Sequence, residues 1–193
     1  MKKKIIAIVV FLICIVLYGA RVYYVNSSHE PIIIKEYPFG TKVPYGTDYN
    51  HTSRDSIDGY FIEILDTGLY DKEEFIKEFN ISSQVLDMTK CFYVVDVRFY
   101  NENKETSTES GIFLLFHSLI TSSDYYMPDD DLTLEVNPDL PQVYFALRHE
   151  SSMDVKIVYC LNEPHFRNKQ QALKKDFKLL ITQYPTRKIL KLS

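Results

Sequence analysis

The sequence predicts a mainly β protein: an antiparallel β-sandwich with one short helix, preceded by an N-terminal transmembrane helix. Runs rich in Val, Ile, Tyr and Phe recur at short spacing, with Gly, Pro, Asn and Asp between them. Apolar and polar residues alternate along the strongest runs, as in sheets with one buried face. Strands and helices do not alternate along the chain, which argues against a parallel α/β sheet.

The N-terminus has the pattern of a membrane anchor. Three lysines at positions 2–4 precede a run from Ile5 to Val25 that is apolar except at Arg21. About 20 apolar residues suffice to cross the hydrocarbon core of a bilayer. We therefore assign residues 1–25 to an uncleaved signal anchor with the lysines in the cytoplasm and everything that follows outside. A cleaved signal peptide is the alternative.

The remainder divides into a stalk and a domain. Residues 26–36 are polar at first and are assigned to the stalk, and residues 37–193 to an extracytoplasmic β-sandwich domain. The candidate strands, from the composition and alternation of their residues, are 57–66, 91–101, 111–121, 132–136, 142–148, 154–161 and 177–183, with weaker ones at 42–49 and 188–192.

Alternation also predicts which side chains of the strongest strands share a face. Three such sets are Tyr60, Ile62 and Ile64; Cys91, Tyr93, Val95, Val97 and Phe99; and Val155, Ile157, Tyr159 and Leu161.

One short helix interrupts the strands. Asp71 and Glu74 have the spacing of a capping box, and Asn80 can adopt the left-handed conformation that ends a helix. We predict a helix from Asp71 to Phe79 whose aromatic side chains, including Phe75, pack on one end of the core.

Charge is distributed unevenly. Residues 22–164 carry a net charge of −15, whereas residues 165–193 carry +7. An acidic body disfavours nucleic acid as a partner, because phosphate contacts need clustered Lys and Arg. The basic segment suits either an arm that binds anionic polymers or lipids, or the last strands of the domain.

Strand-like alternation in the basic segment favours the second interpretation. Phe177, Leu179 and Ile181 are in phase, and burying them stabilises the fold by about 1.5–3 kcal/mol each. Lys174, Lys178 and Lys188 are expected to be exposed, so that their charges contribute little to folding.

Two cysteines lie outside the membrane segment, Cys91 and Cys160. Their separation resembles that of the inter-sheet disulfide of immunoglobulin domains, but the chain has no Trp to pack against such a bridge. In phase, Cys91 lies with Tyr93, whereas Cys160 lies with Lys156, so the two thiols face opposite ways. Pairing through a β-bulge and two unpaired thiols both stay open.

No catalytic motif or phosphate-binding glycine loop is present, so we assign no catalytic, metal or cofactor-binding residue. The acidic run Asp129, Asp130 and Asp131, with Asp124 nearby, is the best calcium candidate, but it lacks the EF-hand pattern. A solvated acidic turn is the alternative.

Several segments resemble a family of uncharacterised exported proteins of Clostridium-type Gram-positive bacteria, of about this length. The segments that carry the resemblance are residues 35–40, 43–46, 58–62, 70–75 and 179–189. The resemblance implies an extracytoplasmic immunoglobulin-like β-sandwich on a membrane anchor or signal. It implies no activity, because the family has none assigned.

Two functions follow as hypotheses. The first is a membrane-tethered binding or adaptor module for a protein or an envelope polymer. The second is a hydrolase or metal-dependent enzyme whose site is assembled from dispersed residues: His117, His149, Asp129 and Asp131. A pocket in which these residues converge within hydrogen-bonding distance distinguishes the second from the first.

Overall fold

The computed structural model describes residues 2–27, 31–49, 57–81, 89–103, 111–162 and 166–193. It divides into two compact units, residues 1–32 and residues 33–193. The first contains helix α1 (Lys2–Ser27), whose described side chains are exposed. From Lys4 to Ser27 this helix is long and apolar enough to cross a membrane, a property that it shares with signal sequences.

The second unit is built from β-strands with short helices between them. The strands are β1 (Ile33–Tyr37), β2 (Val43–Pro44), β3 (Tyr60–Asp71), β4 (Thr89–Asn101), β5 (Ile112–Phe113), β6 (Ser118–Ile120), β7 (Tyr125–Tyr126), β8 (Tyr144–Phe145), β9 (Ser151–Asn162), β10 (Lys178–Leu180) and β11 (Thr186–Lys191). The helices are α2 (Lys72–Phe79), α3 (Asp130–Val136) and α4 (Lys169–Ala172), with a 3₁₀ turn at Leu114–Phe116.

Two sheets form the sandwich. Sheet A has the strand order β1-β11-β10-β6-β7, and sheet B has the order β2-β3-β4-β9. All neighbours are antiparallel except β1 and β11, which run parallel. Strands β5 and β8 form a separate two-stranded sheet. The mainly β, antiparallel class predicted from the sequence is confirmed, whereas the immunoglobulin-like subtype stays a prediction.

The main core lies between the sheets and confirms the predicted faces. Sheet B contributes the three in-phase sets of β3, β4 and β9, of which only Tyr93 is partly exposed. Sheet A contributes Leu119, Leu179 and Leu190, with Phe177 and Ile181 beside them. The basic C-terminal segment is therefore part of the sandwich, as its alternation predicts.

A second core covers the outer side of sheet B. Phe75 of α2 stacks on Phe92 of β4, with ring centroids 4.2 Å apart, and Leu132 of α3 joins them. Helix α2 begins at the predicted capping box, in which Asp71 and Glu74 each accept a hydrogen bond from the other's backbone N–H.

Several expectations about secondary structure are wrong. The weaker strand expected at 42–49 is reduced to Val43–Pro44, and the strand expected at 177–183 to Lys178–Leu180. Residues 132–136 lie in helix α3 because Asp129 caps its N-terminus, accepting a hydrogen bond from the N–H of Leu132 at 3.0 Å. The 3₁₀ turn at Leu114–Phe116 divides the expected strand 111–121. Of the expected strand 142–148, only Tyr144–Phe145 pairs.

The stalk boundary also changes. Residues 33–36, assigned to the stalk from their sequence, belong to β1, which pairs with the C-terminal strand β11. Two circumstances hid this strand in the sequence. The polar residues 26–30 directly precede it, and its partner β11 lies at the other end of the chain.

Candidate functional site

The two sheets have four outer strands, β1 and β7 in sheet A and β2 and β9 in sheet B. These strands differ in length and in whether their outward backbone groups are covered. Strands β2 and β7 have two residues each, and Pro44 of β2 has no N–H to offer. Short outer strands of this kind give little opportunity for another strand to pair. The two longer outer strands are β9 of sheet B and β1 of sheet A.

The middle of β9 is covered by side chains of α3 and the residue after it. The Thr133 hydroxyl accepts a hydrogen bond from the N–H of Val158 at 3.1 Å. The Asn137 amide accepts from the N–H of Lys156 at 2.9 Å and donates to the carbonyl of the same residue at 2.8 Å. The N–H of Asp129 donates to the carbonyl of Val158 at 2.8 Å. Together these groups occupy the positions that another strand would take.

Strand β1 has no such cover within the described residues. The N–H of Ile33 donates to the carbonyl of Pro185 at 2.9 Å, so Ile33, Lys35 and Tyr37 direct their backbone groups to β11. The backbone groups of Ile34 and Glu36 therefore point to the free side. Ile33 is 52% exposed and Ile34 is 59% exposed, although isoleucine is among the residues most often buried.

The inner side of β1 is held by a charged cluster. Asp48 accepts a hydrogen bond from Lys35 of β1 at 2.7 Å and one from Lys188 of β11 at 2.6 Å. Partial burial raises the pKa of Asp48, but hydrogen bonds and charge from the two lysines outweigh this effect and lower it to about 2. Asp48 thus joins the two parallel strands.

The expectation that Lys188 is exposed is wrong, since its exposed fraction is 3%. Its position in β11 is in phase with Leu190, so its side chain points between the sheets. Its ammonium donates to Asp48 and to the carbonyls of Pro44, at 3.2 Å, and Tyr45. A buried ammonium needs partners of this kind because desolvation otherwise disfavours its charge.

The outer side of β1 is also charged. Glu36 accepts a hydrogen bond from Lys178 at 2.9 Å and lies 3.8 Å from Lys191. The hydrogen bond from Lys178 lowers the pKa of Glu36. These pairs are exposed, so they contribute little to stability.

His117 is a buried structural residue. Its Nδ1 lies 3.2 Å from the carbonyl oxygens of both Phe113 and Leu114, so Nδ1 carries the proton and Nε2 accepts from the Tyr45 hydroxyl. The Tyr159 hydroxyl donates to its backbone carbonyl at 2.7 Å. Burial lowers the pKa of His117 to about 4, which keeps the ring neutral.

The other three residues of the enzyme hypothesis lie elsewhere. His149 is exposed, with Nδ1 3.2 Å from the carbonyl of Asn103. Asp129 caps α3 on the outer side of sheet B, and Asp131 is exposed in the first turn of that helix. His117 lies in the main core, so the structure does not bring these four residues together.

The acidic run is distributed along the start of α3. Asp129 is the cap, and Asp130 and Asp131 occupy the first turn, where carboxylates favour the positive end of the helix dipole. Asp124 accepts hydrogen bonds from the hydroxyls of Thr121 and Ser123 at 3.1 and 2.8 Å. Across the part of the chain that the structure describes, no three His, Cys, Asp or Glu side chains are placed to hold a metal ion.

The two cysteines lie on opposite faces of sheet B. Cys91 belongs to the main core, and Cys160 packs against the second core, as their phase indicates. Both thiols are free, and Cys160 donates to Asp129 at 3.2 Å. Burial raises the pKa of Cys91 to about 11 and also raises that of Cys160, so neither is an activated nucleophile.

A cleft of about 470 Å³ lies at one end of sheet B. Its lining is Tyr100, Asn101, Glu102, Glu150, Ser151 and Ser152. Two polar side chains of the lining already have hydrogen-bond partners within the protein, because Tyr100 donates to Glu63 and Glu102 accepts from Lys42. None of the four residues of the enzyme hypothesis lines it.

With this geometry established, comparison with known proteins identifies the family. A family described as "Domain of unknown function (DUF5028)" matches residues 34–188, most of the chain. The chain belongs to the DUF5028 family. A crystal structure of an uncharacterized β-sandwich protein from Clostridium difficile 630 is similar to this DUF5028 chain with a TM-score of 0.47 and 10% sequence identity, over 86% of this chain and 99% of that one. No curated protein matches the chain.

Sequence reasoning missed the exposed strand. The signal was present in three consecutive isoleucines after Pro31, followed by Lys35 and Glu36. β-branched residues favour a strand, and charges on an outer strand are a known device against unwanted pairing.

Proposed function

We propose that this chain is a membrane-tethered, extracytoplasmic binding module that recruits a protein by strand addition at β1. The observation that carries the proposal is the exposed five-residue outer strand β1, in a molecule whose other long outer strand is covered. In strand addition, free backbone donors and acceptors supply affinity, and side chains on the two faces supply specificity.

The location is part of the proposal. Helix α1 supplies a candidate span, and the three lysines at its start support a cytoplasmic N-terminus through the positive-inside rule. Export, a Clostridium-type Gram-positive origin and an immunoglobulin-like subtype come from the sequence resemblance. Protease added to intact cells should remove the domain beyond residue 27, and a protected domain would contradict this orientation.

A protein partner is favoured over an envelope polymer. A polysaccharide has no row of backbone amides to match those of Ile34 and Glu36, so it gains nothing from an open strand. The enzyme hypothesis has no comparable support, because its residues are dispersed between the main core, α3 and the exposed His149.

The test is capture of partners from detergent-solubilised membranes with two matched variants of the full chain. Ile34→Pro removes an N–H that faces the free side, so it should leave the pairing with β11 intact and prevent strand addition. Ile34→Val keeps both the N–H and the strand propensity. We expect Ile34→Val to retain a bound protein and Ile34→Pro to lose it. A set of bound proteins that is the same for both variants would contradict strand addition at β1.

A further inference from the structure

We infer that the occupant of β1 is a second copy of this chain, paired antiparallel about a two-fold axis at Ile34. The inference rests on the proposed function, strand addition at β1. It names the partner and the register.

Backbone geometry restricts how two copies of β1 can pair. Hydrogen bonds between antiparallel strands join residues whose N–H and C=O both face the neighbouring strand, and in β1 these are Ile34 and Glu36. A two-fold axis perpendicular to the sheet also places one residue directly opposite its own copy. Three such registers keep most of the strand paired, and they centre on Ile34, Lys35 or Glu36.

Charge selects among the three registers. Centring on Lys35 or on Glu36 places two like charges directly opposite each other, which destabilises a strand pair. Centring on Ile34 places two isoleucines in contact and sets the alkyl chain of Lys35 against Ile33 of the second copy. This register also leaves the bonds of Lys35 to Asp48 and of Glu36 to Lys178 in place.

Self-pairing accounts for the exposed isoleucines of the strand. Isoleucines at 33 and 34 expose apolar surface on both faces, and the Ile34 register covers both of them. The pairing is short, so two free chains would associate weakly. Anchoring through α1 confines copies to one plane and raises their effective concentration, which a short pairing needs.

Cysteine cross-linking of the full chain in membranes tests the register. Cys14 in α1 is first replaced by Ser, because copies of that helix could cross-link by themselves. One further cysteine is then introduced at Ile33, Ile34, Lys35 or Glu36, with Cys91 and Cys160 kept in every variant. Each variant must keep the thermal transition of the Cys14→Ser parent, and dimer formation by that parent is the baseline. We expect oxidation to give a disulfide-linked dimer mainly from Ile34→Cys.

Distance explains the expected pattern. Opposite Cα atoms of a hydrogen-bonded antiparallel pair are about 5.5 Å apart, within the reach of a disulfide. At positions 33 and 35 the two copies are offset by two residues, about 7 Å along the strand, and at 36 by twice that. Ile33→Cys and Glu36→Cys are therefore matched controls with the same tether to the membrane.

Several outcomes would overturn the inference. A maximum at Lys35→Cys or Glu36→Cys would show another register, and equal yields at all four positions would show only confinement by the anchor. No dimer at any position would exclude the second copy. If Ile34→Pro then still abolished capture of another protein, strand addition at β1 would stand with that protein as the partner. If Ile34→Pro left capture unchanged, both the second copy and strand addition at β1 would be contradicted.

A second measurement uses energy transfer between donor- and acceptor-labelled copies of the full chain in vesicles. Transfer should be the same for the native chain and Ile34→Val and should fall to the level of an unrelated membrane helix for Ile34→Pro. Equal transfer in all three would contradict pairing through β1.

Discussion

Strands β9 and β1 are the two long outer strands of the sandwich. The outward backbone groups of β9 are covered, whereas those of β1 are exposed. Along β9, Thr133 and Asn137 bond the outward N–H groups of Val158 and Lys156, and the Asn137 amide also bonds the Lys156 carbonyl. Along β1, the corresponding groups of Ile34 and Glu36 have no partner among the described residues. A seven-residue helix and the residue after it are enough to cover an outer strand in this chain. The exposure of β1 is therefore a particular feature of that strand and not a property of the fold.

The largest expected effect concerns the support of β1. Deleting residues 174–193 removes β10 and β11, and with β11 the strand that β1 pairs with. It also removes Phe177, Leu179 and Ile181 from the core, at about 1.5–3 kcal/mol each, against a total stability of about 5–15 kcal/mol for a typical domain. Calorimetry should show no cooperative transition; a truncated chain that melts like the full one would contradict the assignment of this segment to the sandwich.

A second prediction concerns the core that both sheets share. The pKa of His117 is lowered by burial to about 4, so its contribution to stability is present above the ordinary value of 6.5 and is lost as pH falls towards 4. The full shift corresponds to about 3 kcal/mol. Denaturant unfolding from pH 7 to 4 should show this loss, and His117→Asn should flatten it.

His149→Asn is the matched control for loss of a histidine, because His149 is exposed. It should leave the pH dependence of the native chain unchanged. If His149→Asn flattened the dependence and His117→Asn did not, the buried position of His117 would be contradicted. Without the pH-dependent contribution of His117, the effects of substitutions at the two outer strands can be compared in acid.

A third prediction tests what holds β1 from its inner side. Asp48→Asn leaves the buried ammonium of Lys188 without its carboxylate, which costs about 2–3 kcal/mol at pH 7, less than for a fully buried pair because Asp48 is partly exposed. The pKa of Asp48 is lowered to about 2, so the native chain loses this contribution as pH falls from its ordinary value of 3.8 towards 2. Unfolding free energies of the two proteins should therefore converge in strong acid; a constant difference would contradict the ion pair.

A fourth prediction removes the cover of β9. Asn137→Ala leaves the N–H and carbonyl of Lys156 exposed or unpaired and should cost about 1–2 kcal/mol in denaturant unfolding. Thr133→Val, which keeps the shape of the side chain, should cost a similar amount through the N–H of Val158. Combined, the two substitutions make β9 resemble β1, and sedimentation should detect new self-association. Unchanged stability in both single variants would show that these side chains do not cover the strand.

The smallest effect is expected from two lysines of the basic C-terminal segment, the exposed Lys174 and the half-buried Lys178. Lys174→Gln with Lys178→Gln removes one exposed lysine and one partner of Glu36, and such pairs contribute about 0–1 kcal/mol. Thermal unfolding should change little. Lys188→Gln is the contrasting variant, because Lys188 is buried, and it should destabilise the protein clearly.

Sequence patterns predicted the elements that are specified by residues close together in the chain. Alternation in β4 and β9 gave the faces of sheet B, and the Asp71–Glu74 capping box located α2. In residues 132–136 two local signals conflict, since the apolar alternation suggests a strand whereas Asp129 before two acids starts a helix. The helix forms because its cap and its contact with the second core act together.

The features that were not predicted depend on distant partners. Strand β1 needs β11, more than 140 residues further along the chain, to become part of a sheet. The burial of Lys188 needs Asp48 and the carbonyls of Pro44 and Tyr45, which no pattern around residue 188 reveals. The exposed strand, and with it the candidate site, could therefore be recognised only once the pairing was known.

Backbone amide exchange, resolved to single residues on the full chain in detergent at low concentration, tests the contrast between the two strands most directly. The amides of Lys156 and Val158 should be protected by Asn137 and Thr133, whereas those of Ile34 and Glu36 should exchange at nearly the rate of an unfolded peptide. Protection of Ile34 and Glu36 equal to that of Lys156 and Val158 in the monomer would show that β1 is covered and would contradict strand addition at this site.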